Sequence, residues 1–476
     1  MRFVDRDLEL ERLDAMVGRS DGGLAVLWGR RRVGKTRLLL EWSRRHQGLY
    51  SVADLSAAAV QRAYVAQALA ERFAGFADVA YPDWRSLLRA VSREADRGSW
   101  RGPLIIDEVP YLLETSPEVA TVLQGWIDHE ARKARLVVAL CGSAQHMMHE
   151  LAVGASAPLF GRASVALKVA PMNVAALGDA LGLADAVAAV QAYAAWGGIP
   201  RYWELAEPFG TSLDHAVDEL VLDPMGPLHQ EPDRLLAEER PSAVSLRPLL
   251  DAIGAGAHRS SEIAGRLGQP ATALARPLSR LQELDLVRRE QPIGDAERGS
   301  KRSLYRLADS FFRMWFGTVA ANRGWLASAT RAGRLKLWAR HAPALVAETW
   351  EELCRLAIPG LARAGGPLEG LGGLGPAGRY WRGSGPEWDV VAPSLDGSTL
   401  LLGEVKWREG HVERAFVEGA HAELTRKGRP AIASGRDAAV VETVFVPRLP
   451  RGWRRRPGGP IVIDAAQVIE AFRRAG

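Results

Sequence analysis

Three groups of residues in this 476-residue chain have the types and spacing for chemistry. The first is Gly29-Arg30-Arg31-Arg32-Val33-Gly34-Lys35-Thr36, which fits Gly-x-x-x-x-Gly-Lys-Ser/Thr. Glycines let such a loop turn successive N–H groups onto phosphate oxygens. The helix that follows adds its positive N-terminus. Lys35 is expected to reach the β- and γ-phosphates of ATP, and Thr36 to bind Mg²⁺. Backbone amides do most of the gripping, so Arg30, Arg31, Arg32 and Val33 need not be small. The three arginines are expected to project outward, toward acids of a neighbouring domain or toward nucleic acid.

The second group completes a nucleotide site. An apolar run, Leu104–Ile106, ends in Asp107-Glu108 about seventy residues after the loop. An aspartate at a strand's C-terminal end can hold the magnesium shell, and Glu108 can polarise the attacking water. A further strand, Arg135–Leu140, ends at Gly142-Ser143. Ser143 either senses the γ-phosphate or caps the helix that begins near Ala144.

The third group lies in the last quarter. Glu404 and Lys406 alternate on one strand, "LLLGEVKW", and so share a face. Asp389 opens the preceding strand segment, "DVVA", and a hairpin of this length can bring it beside Glu404. Two carboxylates and a lysine suit metal-assisted phosphodiester cleavage. The carboxylates would bind Mg²⁺ or Mn²⁺, and the lysine would offset developing charge. A half-buried strand with a surface ion pair is the plainer alternative.

These residues need elements to position them. "LAVLW" (Leu24–Trp28) reads as a buried strand and "TRLLLEWSRR" as a helix. Residues 171–240 form an alanine- and leucine-rich helical lid with period near 3.6, broken at Gly197-Gly198 before Pro200. From about Pro241, three helices and a basic hairpin give a winged helix-turn-helix pattern, the second helix capped by Ser260 or Ser261 with Glu262 near its first turn. Its third helix would carry Arg276 and Arg280 outward, with Pro277 able to bend it, and its wing would carry Arg298, Lys301 and Arg302. Such a module either contacts DNA phosphates or serves for packing. Phe311, Phe312, Trp315 and Phe316 stand at helical spacing, as a docking face or, as the alternative, a base-stacking platform.

Composition sets limits. The net charge is +5, with seven lysines among 61 basic residues. An arginine excess of this kind follows GC-rich coding as readily as phosphate binding, so charge alone argues little. Two cysteines exclude a disulfide framework and a cysteine-rich zinc site. No apolar run is long enough for a transmembrane helix, and the N-terminus has no apolar signal core. A cytoplasmic location is expected, without a membrane partner.

Taken in order, "FVDRDLELERL", "GRRRVGKT", "IIDEVPYL", "CGSAQHMM", "PLFGR" and "GGIPRYWEL" resemble the archaeal- and bacterial-type P-loop ATPase family of the AAA+/STAND class, over roughly the first 235 residues. The resemblance implies that Phe3–Arg6 lies near the adenine. It implies that Arg162 approaches a γ-phosphate, in cis or from a neighbour, and that Arg201 in the lid is a second sensor. A surface ion pair is the alternative for each. The C-terminal pattern Asp389-x(14)-Glu404-x-Lys406 resembles the PD-(D/E)xK nuclease fold, with Trp388 where that superfamily's name has proline. The resemblance implies a metal-ligand role for Glu351 on the opening helix, with Glu348 and Glu352 as rivals.

The expectation is a multidomain α/β protein. It has an AAA+-like P-loop ATPase core (1–170), a helical lid (171–240), a winged helix-turn-helix (241–310), a helical linker (311–343) and a C-terminal α/β/α restriction-endonuclease-like domain (344–476). The expected function is an ATP-hydrolysing protein that acts on DNA and cuts it through Asp389, Glu404 and Lys406. The alternative is a STAND-like switch that binds DNA or a protein partner without cleaving. A homo-oligomer is compatible with both.

Overall fold

The computed structural model describes residues 3–239, 245–295, 302–432 and 437–475. It divides into two units, Asp5–Pro171 and Met172–Gly476, with Met1–Val4 assigned to the second.

In the first unit, helix α1 (Asp7–Val17) precedes β1 (Gly23–Trp28), and the phosphate loop joins β1 to α2 (Lys35–His46). The remaining strands are β2 (Leu49–Val52), β3 (Leu104–Asp107), β4 (Val137–Gly142) and β5 (Ala163–Lys168). They form one parallel sheet in the order β2-β3-β4-β1-β5. Every residue of β3 and β4 is buried, as expected for parallel strands covered on both faces. β4 lies between β1 and β3, pairing Val138 with Leu24 on one side and Leu104 on the other. The C-terminal ends of the three strands therefore stand side by side.

The second unit opens with α3 (Val174–Leu181) and α4 (Ala186–Trp196), set at 106° to each other. The break lies at Gly182, in the left-handed region, and at Asp185, whose side chain accepts from the Val187 amide at 3.2 Å. Periodicity continued across both helices, whereas the cap divides them. No single helix among the described residues is long and apolar enough to cross a membrane.

Helices α5 (Arg247–Gly254), α6 (Ser260–Leu267) and α7 (Ala275–Glu283) follow, with an antiparallel hairpin of β6 (Val287–Glu290) and β7 (Leu304–Leu307). Arg259 rather than a serine precedes α6, and Glu262 accepts from the Arg259 and His258 amides at 3.0 and 2.9 Å. Pro277 lies in the first turn of α7, where a missing amide costs nothing. Phe311, Phe312, Trp315 and Phe316 are all buried, which excludes the stacking platform and makes the stripe core.

A 31-residue helix, α8 (Arg331–Leu361), runs unbroken through Pro343. The boundary expected at 343/344 thus falls inside one helix. Beyond it lie β8 (Gly378–Tyr380), β9 (Trp388–Pro393), β10 (Thr399–Val405), α9 (Arg414–Lys427), β11 (Ala439–Phe445), β12 (Ile461–Ile463) and α10 (Ala465–Ala475). The sheet order is β12-β11-β10-β9-β8. β10, β11 and β12 are parallel, while β9 and β8 are antiparallel.

Candidate functional site

The first site lies where β1, β4 and β3 end, the edge at which open α/β sheets present ligand sites. Gly29 has φ +153° and a Cβ there would strike the Val169 carbonyl; Gly34 has φ +99°. Only glycine suits these positions at low cost. Lys35 is buried in the loop and donates to the Gly29 and Arg30 carbonyls at 2.8 and 3.1 Å. Burial lowers its pKa, against the opposing pull of Cys141, Glu108 and Asp107.

Thr36 donates its hydroxyl to Asp107 Oδ2 at 2.8 Å, and Tyr50 donates to the same oxygen at 2.8 Å. The other Asp107 oxygen accepts from the Glu108 amide at 2.8 Å. Burial and the neighbouring Asp107 raise the Tyr50 pKa, so the phenol remains a donor. A hydroxyl and a carboxylate in contact, with oxygen donors only, fit Mg²⁺. Glu108 has a left-handed backbone, φ +52°, and its carboxylate accepts from the Ser143 hydroxyl at 2.6 Å and amide at 3.2 Å. The helix after Ser143 is capped at Ala144 without a side-chain bond. The Ser143 hydroxyl therefore serves Glu108 rather than a cap.

Arg30 is buried, with 4% of its surface exposed. Arg31 is half-buried and donates to Tyr111 at 2.6 Å. Arg32 is half-buried with φ +66°. Of the three, Arg31 meets a side chain of its own unit, Tyr111. Ahead of the loop, Arg6 donates to the Val33 and Ala170 carbonyls at 3.0 and 2.7 Å. Arg6 belongs to the Phe3–Arg6 segment that the resemblance sets near the nucleotide, whereas Tyr50 carries no motif signal and only the fold brings it to the site.

Arg162 is corrected for the role in cis. It grips Asp128 through two bonds of 2.7 and 2.9 Å, and it precedes β5 at the N-terminal edge of the sheet. Six strand residues, roughly 20 Å, separate it from the phosphate-loop edge. A cavity of about 220 Å³ beside Arg162, Asp128, Arg132 and Asp21 belongs to this far edge. In the second unit, Arg201 is exposed and pairs with Glu204 at 3.2 Å.

A parallel sheet with a phosphate loop, a strand-end Asp-Glu pair and a third strand between them defines a P-loop nucleotide-binding domain. Residues 3–205 match the family described as an ATPase domain predominantly from Archaea, and this part of the chain is similar to archaeal-type P-loop ATPases. Residues 315–418 match a family of archaeal and bacterial proteins of unknown function. An uncharacterised protein of Methanocaldococcus jannaschii is 26% identical over 431 residues, covering 90% of this chain and 92% of its own. Among solved structures, the Walker-type ATPase of Pyrococcus abyssi aligns with a TM-score of 0.51 and 17% identity, over 66% of this chain and 96% of its own. That likeness is one of fold. The ORC2 protein of Aeropyrum pernix aligns at 16% identity and a TM-score of 0.39, over 68% and 95% of the two chains, too loose a match to speak to fold.

The third group of residues meets where β9 begins and β10 ends. The ladder runs to Gly403–Val390, so the next step sets Asp389 beside Glu404. Asp389 Oδ2 accepts from the Val405 amide at 2.9 Å. Glu404 is 1% exposed and has an ammonium on each oxygen, Lys406 at 2.8 Å and Lys427 at 2.5 Å. Burial, then the Asp389 charge, raise the Glu404 pKa against both lysines. Burial works to lower the Lys406 pKa, but bonds to Glu404 and Glu423 outweigh it. Lys427 sits on α9 and nothing in the sequence marked it.

Of the three glutamates on α8, Glu348 pairs with Arg306 at 2.7 Å, and Glu352 pairs with Arg288 and with Arg313 at 2.8 Å. Glu351 has Arg355 at 3.8 Å, and burial followed by Asp389 raises its pKa. Among the described residues no three such groups converge as a metal cage. The expected triple of Asp389, Glu404 and Glu351 is thus corrected to the pair Asp389 and Glu404, whose oxygen donors suit a hard cation.

The hairpin that was expected to present basic residues is docked instead. Arg306 also binds Glu290 at 2.9 Å, and the Ile293 amide donates to the Arg379 carbonyl on β8 at 2.8 Å. Arg302 pairs with Asp295 and donates to the Trp381 carbonyl at 3.1 Å. Arg298 and Lys301 lie outside the described residues. On α7, Arg280 pairs with Glu283 at 3.1 Å while Arg276 is exposed.

Proposed function

We propose that this protein hydrolyses ATP and acts on DNA, with a C-terminal site that cleaves phosphodiesters by the chemistry of the PD-(D/E)xK fold. The observation that carries the reading is the contact of Asp389 with the Val405 amide, which sets one carboxylate against the Glu404–Lys406 pair. The order helix, three antiparallel strands, helix, parallel strand supports it.

Asp389 and Glu404 would hold Mg²⁺ or Mn²⁺, which when bound lowers the pKa of a water and screens the phosphate. Lys406 stands where it can orient that water and offset the charge that develops on phosphate. At the other site Lys35 would hold the β- and γ-phosphates. Thr36 and Asp107 would hold Mg²⁺, and Glu108, aligned by Ser143, would orient the water. Helices α5–α7 with the β6–β7 hairpin read as a winged helix, whose docked hairpin favours a packing role.

One observation favours a second reading. Both Glu404 oxygens are held by lysines, an arrangement equally suited to a neutralised site that binds without cutting. In that reading the protein is an ATP-dependent switch.

A cleavage assay separates the two. Plasmid and linear DNA would be incubated with wild type, Glu404→Gln and Lys406→Ala in Mg²⁺ or Mn²⁺, with ATP present. Cutting by wild type alone supports the nuclease reading. Intact DNA with all three proteins removes it and leaves the switch. Hydrolysis of ATP by all three is expected in either case.

A further inference from the structure

Arg288, Arg302 and Arg306 of the hairpin are paired with carboxylates, but another set of arginines is not. The loops after β10 and β11, residues 406–413 and 446–460, carry Arg408, Arg451, Arg454 and Arg455, all exposed, and Arg414 begins α9. Among the described residues none of these five has a carboxylate partner. Arg455 donates to the Gly459 carbonyl at 3.0 Å. Arg408 lies 5.6 Å from the Phe416 ring centre and Arg414 4.9 Å from that of Trp453. The second contact joins the 446–460 loop to the start of α9, where the first loop ends, as does the Arg456–Glu418 pair at 3.3 Å. Glu409 and Glu413 are exposed on the first loop and bond none of the five.

Crowded, unpaired guanidinium groups repel one another and raise the local potential. Such a surface is best matched by a polyanion. Arginine presents a planar fork that fits phosphate with two donors, and a ring beneath the guanidinium restricts the side chain before binding. Both rings are already covered by arginine, so no base would stack on them. Contacts would fall on the backbone and carry no sequence information. The surface also adjoins the carboxylate–lysine site: the Lys406 amide donates to the Phe445 carbonyl at 3.0 Å, tying the starts of the two loops together.

We propose that these two loops are a phosphate-binding surface for the DNA backbone, placed to lead a strand past Asp389 and Glu404. The inference rests on the reading of this protein as one that acts on DNA.

The test uses the full chain and a labelled duplex of about 30 base pairs, with affinity measured against KCl. Each phosphate contact contributes about 0.9 to the log–log slope. The triple variant Arg451→Ala, Arg454→Ala, Arg455→Ala is expected to lose about 2–3 of the wild-type slope while binding ATP normally. The corresponding lysine triple variant is expected to keep most of it. If wild type binds and the alanine variant keeps its slope, the surface is overturned but the DNA reading stands. The same holds if Arg276→Ala, on α7, lowers the slope in its place. If wild type shows no salt-dependent binding, both fall.

Discussion

Ser143 donates its hydroxyl to Glu108 at 2.6 Å, across the gap between the ends of β4 and β3. The strand order makes this contact: β4 is inserted between the phosphate-loop strand and the Asp107 strand. The serine therefore fixes the carboxylate that would orient the attacking water.

Glu108→Gln is expected to slow ATP hydrolysis by about 10²–10⁴-fold, the usual worth of a positioned base, with ATP affinity changed little. Ser143→Ala loses only orientation, about 1 kcal/mol or roughly fivefold in rate. Steady-state hydrolysis and fluorescent-nucleotide titration check both. Equal losses in the two variants would argue that Ser143 contacts phosphate itself.

Lys35→Ala removes a buried ammonium aimed into the loop. Charged hydrogen bonds contribute about 1.5–3 kcal/mol, so ATP is expected to bind roughly 10–100-fold more weakly. Unchanged affinity by calorimetry would remove Lys35 from the phosphate site.

Glu351→Gln is predicted to change stability with pH. The Glu351 pKa is raised by burial and by Asp389, so the folded state holds its proton more tightly than the unfolded chain. Stability from that proton is present at low pH and is lost as pH rises through the raised pKa. The glutamine variant escapes that loss. It should melt higher than wild type near pH 8, and the difference should shrink toward about pH 4, the ordinary glutamate range. A lower melting point at pH 8 would show that the Arg355 contact outweighs the repulsion.

Arg288→Ala tests the docking of the hairpin. Its partner Glu352 lies on α8 and is mostly buried. Glu352 keeps Arg313 as a partner, so losing Arg288 removes one charged hydrogen bond and costs about 1.5–3 kcal/mol. Urea denaturation is expected to show the second unit unfolding earlier while the nucleotide affinity of the first is retained. A change within about 0.5 kcal/mol, typical of surface sites, would make the contact superficial.

Much of the nucleotide site was legible because its chemistry is local. The glycine–lysine–threonine spacing, the strand-end Asp107-Glu108 and the strand before Ser143 are contiguous patterns, and backbone geometry alone brings strand ends to one edge. The alternation of Glu404 and Lys406 was legible for the same reason, since period two puts both on one face. Hairpin length then placed Asp389 within reach.

Partners were another matter. Composition showed an arginine-rich chain but not where each guanidinium would go. Arg162 meets Asp128, Arg288 meets Glu352, and Lys427 meets Glu404 across 34, 64 and 23 residues. A charge chooses its partner by distance and by the water excluded around it, and both arise only when elements pack. The sequence by itself determined which residues could hold phosphate and where a carboxylate–lysine pair stood. Only the tertiary structure decided that Arg31 meets Tyr111, that the hairpin is docked, and that Arg451, Arg454 and Arg455 share the loops beside Glu404.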